Sequence, residues 1–247
     1  METNIGTLRK KIILSADDFG KTQGGNARIL KLAKKGKLDR VAIMVNRDFL
    51  PAKDLEKIKV CPVALDLHLE FPFQKKKSRS IVKRSFLFLY HHLTNQKSIA
   101  AGWEEQVQKF ISLFGKAPDG LNAHEHIHFF PPYFKVAIKL AQKYNIKYLR
   151  FGKVSIIKNH KIISHILWRL HKKNRTAFAA SGLSSSNYLA SLDWIYPVKS
   201  AGGGPASRVF NRVNNAEKFL KNLPDGRTEI VCHPKREKEY ALIEKLF

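Results

Sequence analysis

Short apolar runs alternate with amphipathic stretches along most of the chain. Lys11 to Ala16 reads as a buried strand running into Asp17-Asp18-Phe19-Gly20. A helix follows, with Ala27, Leu30 and Ala33 on one face and Gly36 as its stop. Val41 to Val45 and Val63 to Leu69 are two further apolar strands, the second holding Asp66 and His68. From about Ser98 to Phe114 the period turns helical, with Trp103, Val107, Phe110, Ile111 and Phe114 on one side and Gly115 at the end. A strand is expected from Gly120 to about Ile127, and Pro131-Pro132 opens another helix. Ile146 to Phe151 is strand-like, and Glu229 to Cys232 is a last strand running into His233-Pro234. Residues 152–215 give weaker signals, with Ser184-Ser-Ser186 and Gly202-Gly-Gly204 reading as loops. Strands alternating with helices predict an α/β fold with a mostly parallel sheet, open or closed into a barrel. No internal repeat or linker divides the 247 residues, so residues 1–247 read as one domain.

Composition adds one unusual feature. Apolar residues are 44 % of the chain, enough for a real core, but 45 Lys and Arg stand against 20 Asp and Glu, a net charge of +25. Such a field attracts anions, whether nucleic acid, anionic lipid or acidic glycan. The basic residues are scattered, with short runs at Lys34–Lys35, Lys75–Lys77 and Lys172–Lys173, and no aromatic-interleaved motif accompanies them. That argues against a dedicated nucleic-acid site. Two cysteines, Cys61 and Cys232, imply no disulfide framework. Residues 1–11 lack an apolar signal core, and no stretch approaches the ~18 apolar residues of a membrane span. The cytoplasm is therefore the default compartment. Between His160 and Arg175, Ile162, Ile163, Ile166, Leu167 and Leu170 fall at helical spacing among basic residues. Such a stripe packs on the protein's own core or lies on a membrane surface, and the core is the expectation here.

Four polar clusters fall at the carboxyl ends of expected strands: Asp17-Asp18, His68, His124-x-His126-x-His128, and His233. Ligands of α/β sheets and barrels bind at that end, so the four clusters can converge on one pocket. Strand alternation would send Asp17 and Asp18 different ways, one towards a metal and one towards the work of a base. They also suit an Asx turn or a helix cap. An extended segment would put all three histidines at 124, 126 and 128 on one face, where neutral imidazoles favour a metal. Not all three need be ligands; the others can orient substrate or neighbouring groups.

The set resembles the YdjC-like carbohydrate deacetylases, a family that includes chitooligosaccharide deacetylases. The matching pieces are Ser15-Ala-Asp-Asp-Phe-Gly20, Leu67-His68-Leu69, His124-x-His-x-His128 before Phe130-Pro131, and Cys232-His233-Pro234, with Ser181 to Tyr188 a weaker match. The resemblance implies a distorted (β/α) barrel related to the polysaccharide deacetylases. It implies that Asp18, His68 and His124 hold one divalent ion, magnesium or zinc, that Asp17 is the general base and that His233 is the general acid. The implied substrate is an acetylated amino sugar, and the basic balance raises an anionic or lipid-linked one, with peripheral membrane contact. Two positions depart from the pattern: Asn122, where aspartate is common, and Asp66, where glycine is common. The residues alone leave two rivals. One is a metal-dependent phosphoesterase; the other is a catalytically inactive binder of anionic polymers.

Overall fold

A computed structural model describes residues 9–71, 96–154, 162–195 and 214–247. The run Lys75–Lys77 and the loop Gly202–Gly204 lie outside the described residues. The elements alternate as expected. β1 (Ile12–Phe19) leads to α1 (Gln23–Lys34), β2 (Arg40–Ile43) to α2 (Ala52–Lys59), and β3 (Ala64–Leu69) to α3 (Gln96–Phe114). β4 (Gly120–Ala123) is followed by a tight turn, His124–Phe129, and α4 (Pro131–Lys143). Then come β5 (Tyr148–Leu149), β6 (Lys153–Val154), α5 (Ile162–Ala179), β7 (Tyr188–Ser191) and a single turn, α6 (Leu192–Ile195). A helical stretch at 214–221 precedes β8 (Thr228–Cys232) and α7 (Glu237–Leu246).

The eight strands form one sheet in the order β5-β4-β3-β2-β1-β8-β7-β6, and every pairing is parallel. The two end strands are consecutive in the chain. Leu149 donates its N–H to the carbonyl of Ser184, and Lys153 donates to that of Asn187. Both ends therefore bond to the segment leading into β7, and the sheet curls into a distorted barrel. The expected strand at 146–151 is shortened to β5, and a second short strand, β6, follows beyond it, because the run that closes the barrel must leave its pairing with β4 and pair with β7 within a few residues.

Alternation along the strands divides the barrel into two environments. Leu14, Ala16, Val41, Ile43, Leu65, Leu67, Leu121, Leu149 and Ile230 pack outward into the core shared with the helices. Trp103, Val107 and Phe110, fully buried on α3, complete that layer on the β3 side, and the Trp103 indole N–H donates to the carbonyl of Glu70. The other strand face is polar. Ser15, Asp17, Asp66, His68, Asn122 and Glu229 are buried on it, together with Arg150. A charged side chain in such a place is tolerated only when fully paired. Arg150 spends its guanidinium on Glu229 (2.7 Å), both oxygens of Asp17 (2.8 Å each) and the Ser15 hydroxyl (2.8 Å). Tyr148 donates its hydroxyl proton to the second oxygen of Glu229 at 2.7 Å. Lower in the barrel, Arg40 donates to both oxygens of Asp66 and stacks over the Tyr148 ring, 3.9 Å from its centre. Asp66, a departure from the family pattern, is therefore one half of a buried ion pair.

Removing one partner of such a pair leaves an uncompensated charge. Asp66→Ala is expected to lower unfolding stability by about 3–5 kcal/mol, and the joint Arg40→Met/Asp66→Leu variant to recover most of it. Urea unfolding of the three proteins checks this; equal losses in the single and joint variants would refute it.

Candidate metal centre

The site forms where four strand ends meet. β1 carries a bulge between Ala16 and Phe19, and Asp18 sits in the left-handed region at φ 71°. Aspartate tolerates that conformation better than most residues. The bulge sends the two neighbouring carboxylates apart, Asp17 into the barrel towards Arg150 and Asp18 towards the mouth. Gly20 follows at φ 97°, and a Cβ there would lie 2.9 Å from the Met44 carbonyl oxygen, so no other residue fits the turn.

Across from β1, the strand expected to run to Ile127 stops at Ala123. Glu125 and His126 both adopt left-handed backbone, at φ 55° and 56°, so His124, His126 and His128 do not share a face. His124 points to the mouth. His128 is fully buried, and its Nε2 donates to the Arg150 carbonyl at 2.8 Å. His126 lies in the barrel, where the charges of Arg150 and Asp17 act on it. The sequence pattern found the histidines but not their division of labour, because a reversal of backbone hand leaves no mark in residue spacing.

Asp18, His68 and His124 offer ligand atoms within 4.8 Å of one another. His124 Nδ1 is 3.4 Å and His68 Nε2 3.7 Å from Asp18 Oδ1. That oxygen is buried and accepts no hydrogen bond. His68 Nδ1 bonds to Asn122 Oδ1. An amide oxygen only accepts, so the proton sits on Nδ1 and the Nε2 lone pair faces Asp18 and His124. Asn122 thus does the orienting work of the aspartate common at its place. An orphaned carboxylate oxygen and converging imidazole lone pairs are the donor set of a divalent cation with open coordination positions. Asp18, His68 and His124 fit that group.

The surrounding charges are extreme. Burial would raise the Asp17 carboxyl, but Arg150, His68 and the Arg150 hydrogen bonds hold it far below the usual range. Burial would likewise raise Asp18, and His124, His68 and Lys21 hold it lower still. Burial pushes His68 down to about 4 and His126 down to about 3. His233 sits at the end of β8; its backbone N–H donates to Glu239 at 2.6 Å, and its Nδ1 is 3.7 Å from the same carboxylate. Its charge reaches both Asp17 and His126.

All five expected site residues therefore gather at one end of the barrel. Three others there were not anticipated. Arg150 stands at the end of an expected strand, the same placement that marked the histidines, and was legible by that rule. Lys21 and Lys235 flank the mouth and both donate to Asp18 Oδ2, Lys21 at 3.0 Å. Their signal was only proximity to the motifs, three residues beyond Asp18 and two beyond His233.

The profile of the YdjC-like proteins matches residues 11–244. The chain belongs to the YdjC-like family. Among curated relatives, a carbohydrate deacetylase from Halalkalibacterium halodurans is 28 % identical over 55 % of this chain and 62 % of its own. A chitooligosaccharide deacetylase from Escherichia fergusonii is 22 % identical over 75 % of this chain and 76 % of its own. The first of these matches thus spans less than two thirds of the relative. A crystal structure from Enterococcus faecalis, provisionally described as a cellobiose-phosphate cleavage protein, superposes with a TM-score of 0.62 over 94 % of this chain and 89 % of its own, at 15 % identity. An uncharacterized protein from Agrobacterium tumefaciens gives 0.53 over 95 % and 80 %, at 11 % identity. These two likenesses establish the fold of this YdjC-like chain.

Neutral burial of His68, His126 and His128 has a pH consequence in metal-free protein. Each is held below the ~6.5 of an unfolded histidine, so the unfolded chain binds more protons below that pH. Stability is expected to be complete above about pH 6.5 and to fall as pH drops towards 4, before the low-lying aspartates contribute. Chelator-treated protein unfolded in urea across that range should show the slope, and His128→Gln should reduce it. A flat profile between pH 6.5 and 4 would contradict neutral burial.

Proposed function

We propose that this YdjC-like protein is a metal-dependent carbohydrate deacetylase that hydrolyses the acetamide of an N-acetylated sugar. The observation that carries the reading is the Asp18–His68–His124 cluster with a second carboxylate, Asp17, held beside it. The deacetylase names of the relatives support it.

Asp18, His68 and His124 would hold the ion. When bound, it supplies a Lewis acid and an acidified water. Asp17 is the general base. Arg150 grips both of its oxygens, which keeps the carboxylate ionised at every working pH and fixes its direction. His68 Nδ1 lies 4.0 Å from Asp17, so the base and a ligand share one wall of the site. His233 is the general acid. It delivers a proton to the leaving nitrogen, since an amine anion is a very poor leaving group. Glu239, which accepts from the His233 backbone N–H and lies 3.7 Å from its Nδ1, sets the position of that ring.

Acetate release from N,N′-diacetylchitobiose and other acetylated amino sugars tests this, with and without added zinc or magnesium. Asp17→Asn and His233→Ala are each expected to lower turnover roughly 10²–10⁴-fold with the metal still bound. His124→Ala is expected to lose the metal as well. Near-normal turnover in metal-loaded Asp17→Asn would reject the base assignment. Two ions per chain would favour a phosphoesterase instead.

A further inference from the structure

The outward side of α5 differs from the other helices. Among the described residues, four large apolar side chains are exposed: Phe49, Val60, Ile163 and Ile166. Ile163 (37 % exposed) and Ile166 (39 %) stand one turn apart at the start of α5. Phe49 (46 %) lies in the connection leaving β2, at the same end of the barrel as the metal centre. Only Val60, after α2, lies at the opposite end. Exposed apolar side chains scattered singly need no explanation. A pair one turn apart on a single helix, at the mouth end, does.

Geometry sharpens the point. Asn174 is buried and bonds to the carbonyl of Phe129, at the close of the histidine turn that tops β4. After α5 the chain descends to begin β7, so the start of the helix points the other way, past the mouth. Ile166 and Ile163 lie eight and eleven residues before Asn174. At 1.5 Å per residue they stand about 12 and 16 Å further along the axis. Leu167 faces inward and anchors the helix, while Arg169, Lys172 and Lys173 are exposed behind the isoleucines. Lys172 also lies over the Trp168 ring, 4.0 Å from its centre.

Charge identifies what such a projection meets. From His126 to Leu192 the sequence has twelve Lys and Arg and no Asp or Glu. By sequence alone, residues 72–95 and 196–213 add to this pattern, with nine further basic residues and no acid. A soluble polyanion would use the charge but not the isoleucines. Apolar tips backed by long basic side chains match the interface of an anionic bilayer, where the tips enter the acyl boundary and the cations reach the headgroups.

We propose that the mouth end of the barrel docks on an anionic lipid bilayer through Ile163 and Ile166 of α5. Docking in this way turns the metal centre towards the membrane surface. No helix among the described residues is long and apolar enough to cross a membrane; the contact proposed is a peripheral one, through side-chain tips.

The test does not depend on the deacetylase reading, because it needs neither substrate nor turnover. The whole protein is sedimented with vesicles of phosphatidylcholine alone and of phosphatidylcholine mixed with phosphatidylglycerol, at low and at physiological salt. Binding is expected only to the mixed vesicles and is expected to weaken with salt. Ile163→Asp/Ile166→Asp should reduce it roughly tenfold or more, and Val60→Asp, at the far end, should leave it unchanged. Circular dichroism and Tm check that the variants fold. If the aspartate pair unfolds the protein, Ile163→Ser/Ile166→Ser gives the same reading. No binding to mixed vesicles overturns the proposal. So does binding that survives loss of both isoleucines, which would show attraction to any polyanion.

Discussion

The whole barrel is organised around a positive charge that water cannot reach. Arg150 is fully buried, and its guanidinium is held by Asp17, Glu229 and Ser15, from β1 and β8. A buried cation with partners missing would cost several kcal/mol, so this set forms together or not at all. Its demands explain the closure of the sheet. Arg150 sits where the chain leaves β5, and its side chain spans the interior to strands on the other side. Tyr148 reaches the same Glu229 from two residues earlier.

The same interaction connects fold to chemistry. Ser15 and Asp17 point into the barrel because they alternate with outward-facing Leu14 and Ala16. The bulge after Asp17 then releases Asp18 towards the mouth. One carboxylate is therefore tied to the scaffold, and its neighbour, held at Oδ2 by Lys21 and Lys235, keeps Oδ1 without a hydrogen bond. Arg150 also fixes the histidine turn, since its carbonyl accepts from His128. Asp17 and the histidine turn are thus aligned by one residue.

Charge is distributed in two regimes. Inside the barrel, Arg40 pairs with Asp66 while Arg150 is shared between Asp17 and Glu229, so every buried charge has a partner, as low dielectric requires. Over the full sequence the net charge of +25 is concentrated in acid-free stretches. The interior charges hold the strands of the barrel to one another. The exterior ones act at longer range and bear on what the molecule approaches.

Residue order alone was enough to establish the alternating strands and helices, the strand ends bearing Asp17-Asp18, His68, His124 and His233, and the family to which their spacing points. These features are local: apolar period, turn residues and motif spacing are all written within a few positions. The tertiary structure decided the rest. It ended β4 at Ala123 and split three equivalent-looking histidines into a ligand candidate and two interior residues, because left-handed backbone at Glu125 and His126 is imposed by packing. It showed that Asn122 orients His68 and that Asp66 pairs with Arg40, contacts between residues 54 and 26 positions apart. It revealed Arg150, whose partners lie 133 residues before it and 79 after. It also left Ile163 and Ile166 exposed on a helix whose pattern predicted burial, because only the packed assembly determines how far that helix projects. Spacing along a chain encodes local geometry; which distant charges must share one dry interior is decided only when the sheet closes.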